Sequence, residues 1–291
     1  MAGPLLVVDT PSMLFRAFYA LPKSITGKDG QPVNALLGAA NLILQEVEQH
    51  DPRAVVLCFG PDAADYRIEL LDAYHADRLE AMPDELPHQF EDAGDFFGAF
   101  GWTIADHDSL EADDLLGTYA KRESEAGGHT LILTGDRDMY QCASDDVTVL
   151  YVRTGKKGGA EEVGPAEVKK RYGIPPELVP DFIALRGDPS DGIPGAKGVG
   201  EKTAAELLKR HGSLEAALKG AVREQRPSLR AALLDGREDL IAYKDIATLR
   251  DAGVERPPDR PTDWKGGAEA ARARGMNRLA ERLEKAAGKT A

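Results

Sequence analysis

Eight carboxylates fall in four short clusters along this chain of 291 residues. Asp9 closes the apolar run LLVVDT, and Glu111, Asp113 and Asp114 lie in SLEADDLLG. Asp136 and Asp138 follow in LILTGDRD, and Asp188 and Asp191 in RGDPSDGIPG. Gathering so many acids in one partly buried place costs several kcal/mol per ion unless they are compensated or some protonate. A hard divalent cation is the usual compensation. The donors are oxygen only, with no His or Cys at the same positions, which points to Mg²⁺ or Mn²⁺ rather than to zinc. Such a site activates water or clamps a phosphate.

The spacing within each cluster supports convergence. Glu111 and Asp114 are three apart and so share a helix face, with Asp113 about 100° round from Asp114. Asp136 and Asp138 are two apart, which in extended backbone points both the same way. Taken singly, each cluster has an ordinary reading: Asp113 and Asp114 as helix-start acids, Asp136 as a turn residue. Four clusters together favour chemistry.

The elements that must position these acids read as an α/β alternation. Strands are expected at 4–9, 54–59, 102–105, 130–134 and 147–152, with helices at 11–20, 33–49 and 111–126 between them. This order implies a mainly parallel sheet with helices on both faces, and ligands collect beyond the carboxyl ends of such strands. Asp9 and the 136/138 pair sit at that edge. Residues 66–100 are charged and poor in strand signals, with Met82-Pro83 and Leu86-Pro87 breaking two helices. Beyond about residue 165 only helical patterns remain, and a domain change is expected near 160–180, after TGKKGG. This gives a core over 1–170, an all-helical subdomain over 171–255, and over 256–291 a proline-bearing linker with one helix around 267–287.

Composition narrows the classes. Hydrophobic residues make up 42% and charged residues 29%, as in a soluble chain able to bury a sizeable core. The net charge of −13 excludes a broadly basic nucleic-acid binder, so any contact with DNA must come from local patches and be salt-sensitive. Cys58 and Cys142 have neither CxxC nor Cys/His spacing, which argues against a disulfide framework and a zinc site. Without a signal-like N-terminus or a long apolar run, a cytoplasmic protein with no membrane partner is expected.

A second motif is GIPGAKGVGEKTAA, residues 192–205. In it Gly195, Lys197, Gly198 and Gly200 precede a helix starting near Glu201, with Lys202 in its first turn. Glycines let backbone approach a phosphate, and free N–H groups at a helix start can hold it. We read it as a helix–hairpin–helix contact to a DNA backbone. The bland reading is a glycine-rich turn between helices.

At this point the chain resembles the 5′-nuclease (flap endonuclease) family, which includes the 5′→3′ exonuclease domain of bacterial DNA polymerase I. The resemblance runs from Leu5 to about Ala247 and rests on VVDTPSMLFRAFYAL, DGQPVNALLGAAN, LEADDLLGTYA, LTGDRDMYQ and RGDPSDGIPGAKGVGEKTA, in that order. It implies a PIN-like nuclease core and a stand-alone bacterial form. It also implies that the eight acids hold two divalent metals. Arg16, Arg67 and Arg78 would be basic residues near the scissile phosphate, and 66–100 a helical arch for a single-stranded 5′ end. Residues 182–211 would be a helix–three-turn–helix element that grips duplex and in relatives can hold K⁺. Tyr19 or Phe18 is a candidate for stacking on a terminal base, and both also suit the core face of a helix.

Two departures stand out. Where the family carries a further Asp after the second strand's Phe, Phe59 is followed here by Gly60, with Asp62 two residues on. Where the family has Lys at the arch start, this chain has His75. The expected function is structure-specific 5′→3′ exonuclease and 5′-flap endonuclease action on flapped, gapped or nicked DNA and RNA–DNA junctions, in replication and repair, by a monomer. The alternatives are a branched-DNA-binding protein whose catalysis is weakened at Gly60 and His75, and a metal-dependent RNase of PIN-like architecture.

Overall fold

The computed structural model describes residues 3–76, 82–153 and 159–290. A central sheet is built from β1 (Leu5–Asp9), which leads directly into helix α1 (Thr10–Ala20) and then α2 (Asn34–His50), and from β2 (Ala54–Cys58). The chain continues through the short α3 (Asp65–Leu70) and α4 (Pro87–Gly98) to β3 (Thr103–Ala105). Next come α5 (Ala112–Glu125), β4 (Thr130–Thr134), β5 (Val147–Tyr151) and β6 (Glu161–Val163). Strand order is β3-β2-β1-β4-β5-β6, parallel throughout except for β6, which pairs antiparallel with β5. This edge strand was not anticipated: three residues, two of them Glu, carry too little apolar pattern to read as a strand.

β1 is fully buried because both sheet faces are covered. Leu5 and Val7 face one core with α5 and the later helices, whereas Leu6 and Val8 face the other with α1, α2 and α4. The connections from β1 run to opposite sides, to β2 and to β4, so a crevice opens at the carboxyl ends of β1, β2 and β4.

The remainder is helical: α6 (Pro165–Tyr172), α7 (Val179–Arg186), α8 (Glu201–His211), α9 (Leu214–Gly220), α10 (Pro227–Asp235) and α11 (Arg237–Ala247). Their apolar faces join the first core through Val168, Phe182, Leu207, Leu218 and Ile246, so this part packs directly onto the sheet layer. The tail forms two helices rather than the one expected, α12 (Trp264–Ala273) and α13 (Asn277–Thr290). Gly275 at φ +81 breaks them, and the hairpin folds back so that Ala268, Ala271, Leu279 and Leu283 cover the second core. No helix among the described residues is long and apolar enough to cross a membrane.

Candidate active site

Asp9 ends β1 and caps α1: its carboxylate accepts from the Ser12 amide at 3.1 Å and from the Thr134 hydroxyl at 2.7 Å. That second bond stitches the carboxyl ends of β1 and β4. The Thr134 oxygen in turn accepts from the Asp136 amide at 2.9 Å, and Asp136 accepts from the Asp138 amide at 2.8 Å. Asp138 therefore opens a 3₁₀ turn instead of continuing the strand. The pair is held by a turn of side-chain bonds rather than by the extended backbone that the spacing suggested.

α5 delivers two acids into the crevice and keeps one out. Glu111 is its N-cap, accepting the Ala64 amide at 2.8 Å and the Tyr74 hydroxyl at 3.0 Å. Asp114 closes a reciprocal capping box with Glu111, accepts the Arg250 amide at 2.7 Å and is fully buried. Arg67, also buried, reaches Glu111 at 2.6 Å, Asp114 at 3.2 Å and the Ile246 carbonyl at 3.0 Å. Two expectations change here. Asp114 and Arg67 do not line the cleft; they form an ion pair behind it that fixes the start of α5, with the helix-start role of Asp114 prevailing.

From the helical part, Asp188 accepts from Ser190 N at 2.9 Å and from Arg186 at 2.8 Å. Asp191 stands 3.1 Å from Nε2 of His75. His75 does not reach the cleft either. It is buried at φ +52, its ring stacks on Tyr74 at 4.0 Å, and Nδ1 sits 2.6 Å from the Asp62 carbonyl. A carbonyl only accepts, so Nδ1 donates there. The residue standing where the family has Lys ties the 62 loop to Asp191. Arg78 falls outside the described residues.

What remains is a cavity of about 1070 Å³ lined by Asp9, Glu111, Asp113, Asp136, Asp138 and Asp188, with Asp62 and Arg16 also at its wall. Arg16 donates to the Gly135 carbonyl at 2.6 Å, and Tyr19 stands on the rim at 72% exposure. Behind Asp188 the chain turns through the expected hairpin between α7 and α8. Gly195 (φ +69) packs so tightly that a Cβ would lie 2.3 Å from the Gly187 nitrogen. Gly198 and Gly200 have open space around them, flanked by exposed Lys197 and Lys202.

The description "5'-3' exonuclease, N-terminal resolvase-like domain" matches residues 4–173, and "5'-3' exonuclease, C-terminal SAM fold" matches 174–260. The chain belongs to the 5'-3' exonuclease family. It is 38% identical over 280 residues to a 5'-3' exonuclease of Mycobacterium tuberculosis, spanning 90% of this chain and 86% of that one. It is 37% identical over 267 residues to DNA polymerase I of the same organism, covering 88% of this chain but only 29% of the polymerase. A flap endonuclease of bacteriophage T5, solved with DNA and metal ions, shares the fold at TM-score 0.71 and 16% identity, over 97% of this chain and 98% of that one.

The electrostatics of the enzyme's cleft fit divalent cations. Burial, together with Asp191, Asp9 and Asp188, pushes Asp136 up to about 6. Burial raises Asp9, and burial with neighbouring carboxylates carries Asp113 and Asp138 well above the usual range. Among the described residues no group of three or more His, Cys, Asp or Glu side chains is already set to hold an ion. An all-oxygen set spread round an open cleft suits Mg²⁺-like ions, which keep several waters and take few direct carboxylates.

These shifts have a sign that can be tested. Raised carboxylates keep protons in the folded chain that the unfolded chain has released, so metal-free stability falls as pH rises from the ordinary aspartate value of 3.8 through about 6. Glu123, held low by the guanidinium groups of Arg53 and Arg256 against the opposing effect of burial, acts oppositely only below the ordinary glutamate value of 4.5. In chelator, the melting temperature should therefore be higher near about pH 5.5 than near about pH 7.5, and Mg²⁺ should raise it more at the higher pH. Equal chelator melts at both pH values, with an equal Mg²⁺ effect, would contradict the clustering.

The sequence reading missed Arg137, Tyr151 and Arg186, all at the cleft wall. The signal was present for two of them: Arg137 lies between the acids of GDRD, and Tyr151 ends a strand at the same sheet edge.

Proposed function

We propose that the enzyme is a divalent-metal-dependent, structure-specific 5′ nuclease hydrolysing phosphodiester bonds in flapped, gapped or nicked DNA and at RNA–DNA junctions, as a cytoplasmic monomer. The observation that carries this reading is the convergence of six carboxylates from four chain segments on one open cleft, beside a glycine hairpin on the adjoining helical part.

Asp9, Glu111, Asp113, Asp136, Asp138 and Asp188 would hold two or more Mg²⁺ or Mn²⁺ ions in the cleft, with Asp191, paired with His75, beside Asp136. When bound, such ions activate water and offset charge on the leaving oxygen. The chain's own residues do the rest. Thr134 and Ser12 orient Asp9, and the Arg67–Asp114 pair fixes the α5 start that presents Glu111 and Asp113. Arg16, anchored on Gly135, places a planar cation beside Asp9 where phosphate charge develops. Tyr19 offers a ring for a base near the 5′ end. Gly198, Gly200, Lys197 and Lys202 would take the duplex backbone, with K⁺ as a ligand of the same hairpin.

The test is cleavage of a labelled 5′-flap DNA in Mg²⁺ or Mn²⁺, beside binding in Ca²⁺. Binding without cleavage would favour the branched-DNA-binding reading. Lys197→Ala and Lys202→Ala should each weaken binding to every duplex-containing substrate by a similar factor and flatten the salt slope by about 1. An unchanged slope would remove the hairpin from the DNA contact.

A further inference from the structure

Arg137 stands between two cleft acids in sequence, yet its side chain leans elsewhere. The strongest charges acting on Asp136 and Asp138 are other carboxylates, not this guanidinium. Its Nε donates to the Tyr151 hydroxyl at 3.3 Å, and its guanidinium carbon lies 5.6 Å from that ring's centroid. Arg137 is exposed, lines the cleft, and makes no ion pair among the described residues. The neighbouring cleft cation Arg186 is committed to Asp188.

Its support is rigid. Tyr151 meets Tyr140 edge-on at 5.8 Å, and the Tyr140 hydroxyl accepts from Arg171 at 2.7 Å. Tyr140 contacts Tyr172 at 5.9 Å, and Tyr172 stacks on Phe182 at 5.0 Å. This row of rings ties β5 to α7, so the tyrosine that Arg137 is bonded to belongs to a wall shared by both parts of the molecule. The same cleft is also lined by the apolar and aromatic side chains of Phe15, Tyr19, Met82 and Pro83.

We propose that Arg137, steadied by its hydrogen bond to Tyr151, binds the phosphodiester next to the scissile one on the cleaved strand. The acids occupy the floor where the scissile phosphate must sit, and Arg137 leans away from them. A guanidinium whose two Nη groups have no partner among the described residues matches two phosphate oxygens, and a side chain already tethered loses less freedom on binding. This contact exists before the chemical step, so it contributes to binding rather than to turnover. The inference rests on the 5′-nuclease reading of the same cleft.

The test compares wild type with Arg137→Ala, Arg137→Gln, Arg137→Lys and Tyr151→Phe. The readouts are steady-state cleavage of a 5′-flap DNA and binding in Ca²⁺ over a range of salt. Arg137→Ala and Arg137→Gln should raise KM about 10-fold, leave kcat within about 3-fold, and reduce the salt slope by about 1. Arg137→Lys should restore the slope but only part of the affinity, and Tyr151→Phe should give a smaller rise in KM. Unchanged KM and slope in both neutral variants, with active wild type, overturns this inference alone. A fall in kcat without a change in KM overturns it too, placing Arg137 in the acid cluster's chemistry. Wild type that neither cleaves nor binds flaps removes the nuclease reading itself.

Discussion

Asp136→Asn and Asp138→Asn should each lower the cleavage rate of a 5′-flap DNA by about 10²-fold or more. Both carboxylates lie on the cleft wall, and Asp136 is the residue whose surroundings link the Asp9 side of the cleft to the Asp188 and Asp191 side. Replacing one carboxylate by an amide removes a full charge from the donor set while keeping its volume. For Asp136 the amide can still accept from the Asp138 amide, so the turn is kept and the loss is electrostatic. Flap binding in Ca²⁺ should be largely retained, because the hairpin carrying Lys197 and Lys202 lies on a different segment from Asp136 and Asp138. Near-normal cleavage by either variant would show that the cleft acids are not the catalytic donors.

Gly60→Asp should destabilise the enzyme instead of repairing a metal position. From sequence, restoring the acid at this point is expected to lower the metal concentration needed for half-maximal rate. The structure points the other way. A Cβ at Gly60 would lie 2.5 Å from the Leu110 carbonyl oxygen and 3.0 Å from the Ala112 nitrogen. Both are backbone atoms that cannot swing aside, and they flank Glu111 at the start of α5. The reason for glycine is this close approach, since its φ is not among the positive ones. Separating β2's exit from α5 should cost about 1–3 kcal/mol, a drop of several degrees in melting temperature, and should displace Glu111 and Asp113. Thermal melts beside a metal titration decide it: a stable variant with a lower metal requirement would show that the loop yields. Asp62 already borders the cleft, with its backbone held by His75.

The placing of the acids at one edge of the sheet was largely legible because its determinants are local. An apolar run ending in Asp9, a Thr-Gly-Asp turn after β4 and a glycine hairpin before α8 each encode an element and a position on it. In a parallel sheet those positions fall at one edge. Periodicity likewise located the helices, although it merged α12 and α13, where a single left-handed glycine outweighed a continuous amphipathic pattern.

Only the tertiary structure decided which of several similar residues faces the cleft. Asp113 and Asp114 are neighbours in the same helix turn, yet one lines the cavity and the other is locked to Arg67, 47 residues away. His75 and Asp191 are separated by 116 residues, and Arg137 owes its orientation to a tyrosine on the next strand. Sequence by itself determined the kinds of group present, the elements that carry them and the edge at which they gather. The choice among adjacent charges was made by packing, because burying an ion is tolerable only beside a partner, and that partner is supplied by segments distant in the chain.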